Sequence, residues 1–173
     1  MKTFKKFGLI IKDADILKVG CGSGYAASLI TAEKPCSYTG LDIMPEQLEI
    51  ARERGLNKAT FVEGSADDLR KFSEKSFDVI LDFCILHHVE GWRIFFDESY
   101  RVLRNGGSIY VADLSKRFIH IVDSILHWDH AEEALFTLQE FEAEANKRGF
   151  MSVHKENDLG FEGYFRFQKV NKE

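Results

Sequence analysis

The chain has 173 residues, 45% hydrophobic and 29% charged, which fits one globular domain with a full core and little room for a second. A net charge of −5 and a pI of about 5.7 argue against nucleic-acid binding, which leans on clustered Lys and Arg; the basic start (Lys2, Lys5, Lys6) reads as a solvated end. Cys21, Cys36 and Cys84 form no CxxC pair, which argues against a disulfide framework or a cysteine zinc site, and the apolar run in "MKTFKKFGLIIKDAD" is too short for a signal peptide or a membrane span. The expected setting is reduced and cytoplasmic.

Short apolar runs alternate with helical patterns along the chain. Residues 16–20 read as a buried strand and 25–33 as a helix after a glycine loop. A second strand is expected at 37–42 and a helix at 45–54, with Pro45 in its first turn and Gly55 as its stop. Strands follow at 60–63 and 77–83. The stripe Trp92, Phe95, Phe96, Tyr100, Leu103 predicts a helix over 92–103, ended by "RNGG" at 104–107 before a fifth strand at 108–112. Thr137 with Glu140 three residues on is a capping box, opening a helix over 137–148 that Gly149 closes. Residues 151–155 and 164–170 read as a late antiparallel pair of strands. The whole is expected to be a single α/β domain over 1–173: a doubly wound, mainly parallel sheet covered on both faces.

In such sheets a ligand sits beyond the carboxyl ends of the strands. After strand one stands Gly20-Cys21-Gly22-Ser23-Gly24, where glycine lets a ligand approach the backbone and the next helix offers unpaired N–H groups. Strand two ends in Asp42, suited to the two hydroxyls of a ribose. After strand three come Ser65, Ala66 and Asp67, able to meet an adenine edge. The ordered set describes a nucleoside-bearing cofactor. A nicotinamide dinucleotide fits Gly22-x-Gly24-x-x-Ala27 with Asp42 downstream, but the chain is short for a dehydrogenase and has no Tyr-x-x-x-Lys pair.

From about residue 16 to 114 the chain resembles the class I S-adenosylmethionine-dependent methyltransferases, in particular the small-molecule group related to quinone-biosynthesis C-methyltransferases. The matching stretches are "ILKVGCGSG", "GLDIMPEQLEIAR", "FVEGSADDL", "SFDVILDFCILHHV" and "SYRVLRNGGSIYVAD". The resemblance implies a seven-stranded Rossmann-like sheet of order 3-2-1-4-5-7-6 with strand seven antiparallel. It implies S-adenosylmethionine as cofactor, with Gly20, Gly22 and Gly24 against its methionine portion and ribose. Asp42 would bind the ribose hydroxyls, Ile43 the adenine face, and Ser65, Ala66 and Asp67 the adenine edge, with Asp82 and Phe83 at the methionine end. The N-terminal cap is expected to be minimal.

Three positions depart from the family pattern. Lys18 and Ser65 replace acids, and Met44 replaces a helix cap, at a cost of about 1 kcal/mol. Lys18 matters most, because the donor carries two positive groups. A lysine charge within about 6 Å of either would repel it by on the order of 2–3 kcal/mol before solvent screening. The expectation is that Lys18 snorkels outward or pairs with Asp82 across the sheet.

Methyl transfer mainly needs alignment of a nucleophile, and a general base only where the acceptor must lose a proton. His87 and His88 follow strand four, and one of them is expected to pack locally. His88, His127 and His130 are the candidate acceptor-facing or proton-accepting residues. His127-x-x-His130 with Asp129 permits a metal, but no third ligand is placed, so no metal is expected. Residues 118–128 read as a helix packed on the sheet, with a lid over the acceptor pocket or a homodimer face as functional readings. No Asn/Asp-Pro-Pro-Tyr/Phe follows strand four, which disfavours amino-methylation of nucleic-acid adenine or glutamine. The expected function is methyl transfer from S-adenosylmethionine to a small molecule, with no nucleic-acid or membrane partner. The alternative is a nucleoside-binding relative without catalysis.

Overall fold

The computed structural model describes residues 8, 9, 11–127 and 130–171. Lys2, Lys5, Lys6, Trp128 and Asp129 lie outside the described residues.

Seven strands form one sheet: β1 (Asp15–Val19), β2 (Ser37–Asp42), β3 (Ala59–Glu63), β4 (Phe77–Phe83), β5 (Leu103–Leu114), β6 (Phe150–Asp158) and β7 (Glu162–Lys169). Their order is β3-β2-β1-β4-β5-β7-β6. Neighbours from β3 to β5 run parallel, while β7 is antiparallel to both β5 and β6, as expected. β1 is buried on both faces after its first residue, so its sequence is a continuous apolar run broken only by Lys18. β7 alternates half-buried and buried residues, because only one of its faces is fully covered.

Five helices flank the sheet: α1 (Tyr25–Thr31), α2 (Pro45–Glu53), α3 (Trp92–Val102), α4 (Lys116–Leu126) and α5 (Leu138–Lys147). α1 and α2 bury Ala27, Ile30, Leu48 and Ala51 in one core with Ile16, Tyr38 and Leu81. On the other face α3 and α5 join Trp92, Phe95, Phe96 and Phe141 to Phe165 and Phe167 of β7. Phe141 stands at the centre of this aromatic group, 4.9 Å from Phe96 and 4.5 Å from Phe136, ring centroid to centroid.

Three expectations are corrected. "RNGG" does not form a turn between helix and strand: α3 stops at Val102, and β5 already begins at Leu103, which is fully buried and pairs with Phe77. The gain from burying Leu103 in the sheet outweighs the local turn preference of the glycines, and the ladder register shifts between Phe77 and Val79 instead. Of residues 118–128, the described part, 118–127, does not pack closely on the sheet, and Trp128 lies outside the described residues. α4 is capped by Ser115 and buries Ile119, while Ile121, Ile125 and Leu126 stay exposed. The first helix ends at Thr31 rather than 33, where the chain turns through Lys34 at positive φ.

The capping box is present, with Glu140 N–H donating to Thr137 Oγ1 and Thr137 N–H donating to Glu140. Thr137→Ala should cost about 1 kcal/mol of unfolding free energy and Phe141→Ala about 3–5 kcal/mol, both read from urea denaturation. Equal losses would mean that Phe141 is not the packing centre of that face.

Candidate functional site

The glycine loop after β1 is built from three glycines with different duties. Gly20, at φ +59°, has no room for a side chain, since a Cβ there would stand 2.1 Å from Ile85 Cγ1. Gly22, at φ +51°, would meet nothing within 4 Å and leaves its backbone open to the cleft. Gly24 packs on α2, where a Cβ would lie 3.0 Å from Ala51 Cβ. It is not part of the cleft wall, so its part in the loop is to let α1 and α2 approach.

Asp42 ends β2 and joins this loop. Gly22 N–H donates to Asp42 Oδ2 at 2.7 Å, and Met44 N–H donates to Oδ1 at 3.0 Å. Each oxygen keeps further acceptor capacity for a ligand hydroxyl. Met44 provides no side-chain cap to α2, yet its own N–H is satisfied by Asp42.

Beyond β3, the chain passes through Gly64, Ser65, Ala66 and Asp67. Arg101 and Glu98 of α3 brace the segment that follows: Glu98 accepts Leu69 N–H at 3.0 Å, and Arg101 donates to Leu69 O and Phe72 O at 2.8 Å each. The sequence reading missed this brace, because an Arg three residues from a Glu on a helix looks like any surface pair.

These strand ends enclose a cleft of about 630 Å³. Gly20, Gly22, Asp42, Ile43, Ser65, Ala66, Asp67 and His88 all line it. Ile85, Val89 and Met44 add apolar wall, and Gln47 and Glu90 add polar groups. The described lining holds Asp42, Asp67 and Glu90 but no lysine or arginine.

Lys18 does not snorkel outward. It is buried, and its amine donates to Val19 O and, at 3.0 Å, to Gly20 O. Nζ stands 4.8 Å from the centre of the Phe83 ring. Burial lowers its pKa, partly offset by attraction to Asp82. Asp82 is a correction as well: it is wholly buried below the cleft and does not line it. Its Oδ1 accepts Ile85 N–H at 3.2 Å, and Oδ2 has no partner among the described residues. Burial, and next the neighbouring Asp113, push its carboxyl well above the usual range. Both facts mark Asp82 as a carboxyl whose charged form the site disfavours. Phe83 is likewise outside the lining and serves as the ring beside Lys18.

The histidines divide. His87, buried, bonds through Nδ1 to Asp113 Oδ1 at 2.5 Å, so it is the one that packs locally. His88 lines the cleft, and burial first, then His87 and His130, lower its pKa. It is therefore a neutral imidazole at pH 7. His130 does not reach the cleft wall but stacks on His88 at 5.0 Å and bonds to Asp123 Oδ1 at 2.7 Å. His127 lies outside this group, exposed at the left-handed end of α4.

A family model described as a methyltransferase domain matches residues 17–111. The chain belongs to the S-adenosylmethionine-dependent methyltransferases. It is 40% identical over 101 residues to a probable phthiotriol/phenolphthiotriol dimycocerosates methyltransferase of Mycobacterium ulcerans, a match covering 57% of this chain and 39% of that protein. It is 35% identical over 118 residues to a fatty-acid O-methyltransferase of Mycolicibacterium smegmatis, covering 67% of this chain and 41% of that protein. The matched stretches thus span about two fifths of these curated relatives. In fold it is similar to an S-adenosylmethionine-dependent methyltransferase from Mesorhizobium loti, with a TM-score of 0.83 at 16% identity over 97% of this chain and 96% of that one. A Methanosarcina mazei methyltransferase superposes with a TM-score of 0.77 at 23% identity, over 97% and 98%. The family match sets aside the nicotinamide reading.

The methyltransferase cleft fits this cofactor on its own geometry. Gly22 opens the backbone, Asp42 is held ready for a diol, and the described wall carries acids without lysine or arginine, which suits a sulfonium.

The buried carboxyl gives a test in pH. The unfolded chain releases the Asp82 proton near pH 3.8, and the folded protein well above it. Stability from the protonated carboxyl is complete below pH 3.8 and is lost as pH rises to the folded value. Asp82→Asn keeps a neutral group at every pH. Its unfolding free energy relative to the parent should rise by on the order of 1–2 kcal/mol between about pH 4 and 7, read from urea midpoints at each pH. A difference that is flat with pH would mean Asp82 is ionised in the fold.

Proposed function

We propose that this protein is an enzyme that transfers a methyl group from S-adenosylmethionine to an oxygen of a small, apolar acceptor. The observation that carries the reading is the Asp42 carboxylate, fixed by two main-chain N–H groups at the mouth of a glycine cradle. The acceptor class follows the relatives, whose names specify a fatty acid and phthiotriol/phenolphthiotriol dimycocerosates.

The bound donor supplies a methyl carbon already activated by a positive sulfur. Gly20 and Gly22 admit the donor to the backbone, Asp42 binds its ribose hydroxyls, and Ile43 with Ala66 holds the adenine. Ser65 and Asp67 serve the adenine edge. Asp82, Phe83 and Gly24 act from behind, as the floor and the helix contact of the site. Alignment of the acceptor against the methyl group accounts for much of the rate. His88, neutral and in the cleft wall, is the group placed to accept a proton from an acceptor hydroxyl or carboxyl. Lys18 does not block the donor in this reading, because its amine is spent on Val19 O and Gly20 O.

We read the chain as one methyltransferase domain working in the cytoplasm without a nucleic-acid partner. No helix among the described residues is long and apolar enough to cross a membrane. The exposed apolar residues of α4 offer a surface for the acceptor's tail or for a second copy in a homodimer.

Calorimetry tests the reading. The natural protein should bind S-adenosylmethionine and S-adenosylhomocysteine at micromolar concentration. Asp42→Ala should weaken both by about 10- to 100-fold, the worth of one or two hydrogen bonds to a charged group. Binding that appears only in Lys18→Asp would instead support the non-catalytic alternative.

A further inference from the structure

We propose that His87, His88 and His130 form a binding site for a divalent metal ion of the zinc class, beside the donor cleft and sharing His88 with its wall. One ring nitrogen from each of the three lies within 4.8 Å of the others. Their rings are 4.0 Å (His87 to His88), 5.0 Å (His88 to His130) and 5.8 Å (His87 to His130) apart, centroid to centroid. Zinc–nitrogen bonds of about 2.0–2.1 Å put tetrahedral ligand nitrogens roughly 3.4 Å apart, so small ring rotations close the triad on an ion.

A second observation is independent of that proximity. Two of the rings are already oriented by carboxylates, as metal-ligating histidines are. Asp113 Oδ1 accepts from His87 Nδ1 at 2.5 Å, and Asp123 Oδ1 from His130 Nδ1 at 2.7 Å. Asp113 is itself anchored: its Oδ2 accepts Leu86 N–H at 2.8 Å and its Oδ1 accepts Leu114 N–H at 2.7 Å. With Nδ1 committed to a carboxylate, the nitrogen that His87 offers an ion is Nε2. The third ring, His88, stands between the other two, in contact with both.

The ligands come from two distant places in the chain. His87 and His88 sit on the 3₁₀ turn Leu86–His88 after β4, while His130 follows α4. The sequence reading considered a metal only on the HWDH stretch and found no third ligand. The fold supplies His87 and His88 and leaves out His127. Three protein ligands are the number typical of catalytic zinc, which keeps one position open. Because His88 also lines the cleft, that position belongs on the acceptor side. An acceptor carboxylate or alkoxide is the chemical class it would take. With the ion bound, the His88 lone pair is committed; the acceptor would take the open position by giving its proton to the hydroxide held there, which leaves as water. Metal binding itself does not depend on methyl transfer.

The test uses full-length, tag-free protein and zinc alone. Dialysis against zinc followed by elemental analysis should give one equivalent per chain. His130→Gln and His88→Gln should each weaken zinc binding at least 10-fold in competition with a chromogenic chelator, and Asp123→Asn 10- to 100-fold. His154→Gln, on exposed β6, should leave it unchanged. Melting curves in EDTA show which variants fold; if His88→Gln does not, His130→Gln and Asp123→Asn carry the decision. Cobalt in place of zinc should give visible bands of tetrahedral intensity that shift with azide. Zinc below a tenth of an equivalent, or affinity equal in all variants, overturns the site. Cobalt bands indifferent to azide overturn the open position.

Discussion

The two main-chain hydrogen bonds received by Asp42 are the constraint on which the rest of the site depends. At the carboxyl edge of a parallel sheet, each strand leaves into a loop with nothing in the ladder to hold it. Asp42 ties two of these exits together, binding Gly22 of the β1 loop and Met44 at the entry to α2. The Gly24 contact with Ala51 then locks α1 against α2. The glycine cradle is thereby fixed before any ligand arrives, and the entropy of ordering it is not charged to binding.

Below this layer lies a buried group of unusual polarity. Lys18, Asp82, Asp113 and His87 are all nearly inaccessible, and each is hydrogen-bonded to main chain or to a neighbouring side chain. In a low-dielectric interior such groups persist only when paired, protonated to neutrality or bonded to backbone dipoles. Pairing and bonding to backbone dipoles both occur here. The lysine in the first motif is thus accommodated by the sheet edge itself: it turns onto two carbonyls and a phenylalanine ring, with the Asp82 carboxyl nearby. The same buried acids also orient His87, and through the stacked rings they are continuous with the cleft wall at His88.

Much of this was legible in the residues. Apolar runs of four to seven residues, punctuated by glycine, placed β1 to β4 closely, with β2 and β4 matching to the residue. Thr137 and Glu140 announced α5 through a purely local interaction. The cleft residues were legible for a topological reason: if strands are parallel and crossovers right-handed, the residues after their carboxyl ends must converge. Where the reading failed, a non-local contact won. Leu103 belongs to β5 because Phe77 stands beside it, and nothing in "RNGG" signals that. α4 has the pattern of a packed helix, but Ile121, Ile125 and Leu126 meet no cover among the described residues.

The sequence by itself determined the fold class and put the glycine loop, Asp42 and the stretch from Ser65 to Asp67 at strand ends, while the strand order came with the family resemblance. The first two follow from periodicity, glycine spacing and chain topology, which are local or nearly so. Only the tertiary structure decided which way Lys18 turns, that Asp82 lies beneath the cleft rather than in its wall, and that His130 meets His87 and His88. These are matters of side-chain direction and of contacts between segments far apart in the chain. Burial and neighbouring charge set them, and neither is defined until the sheet and its covering helices are assembled.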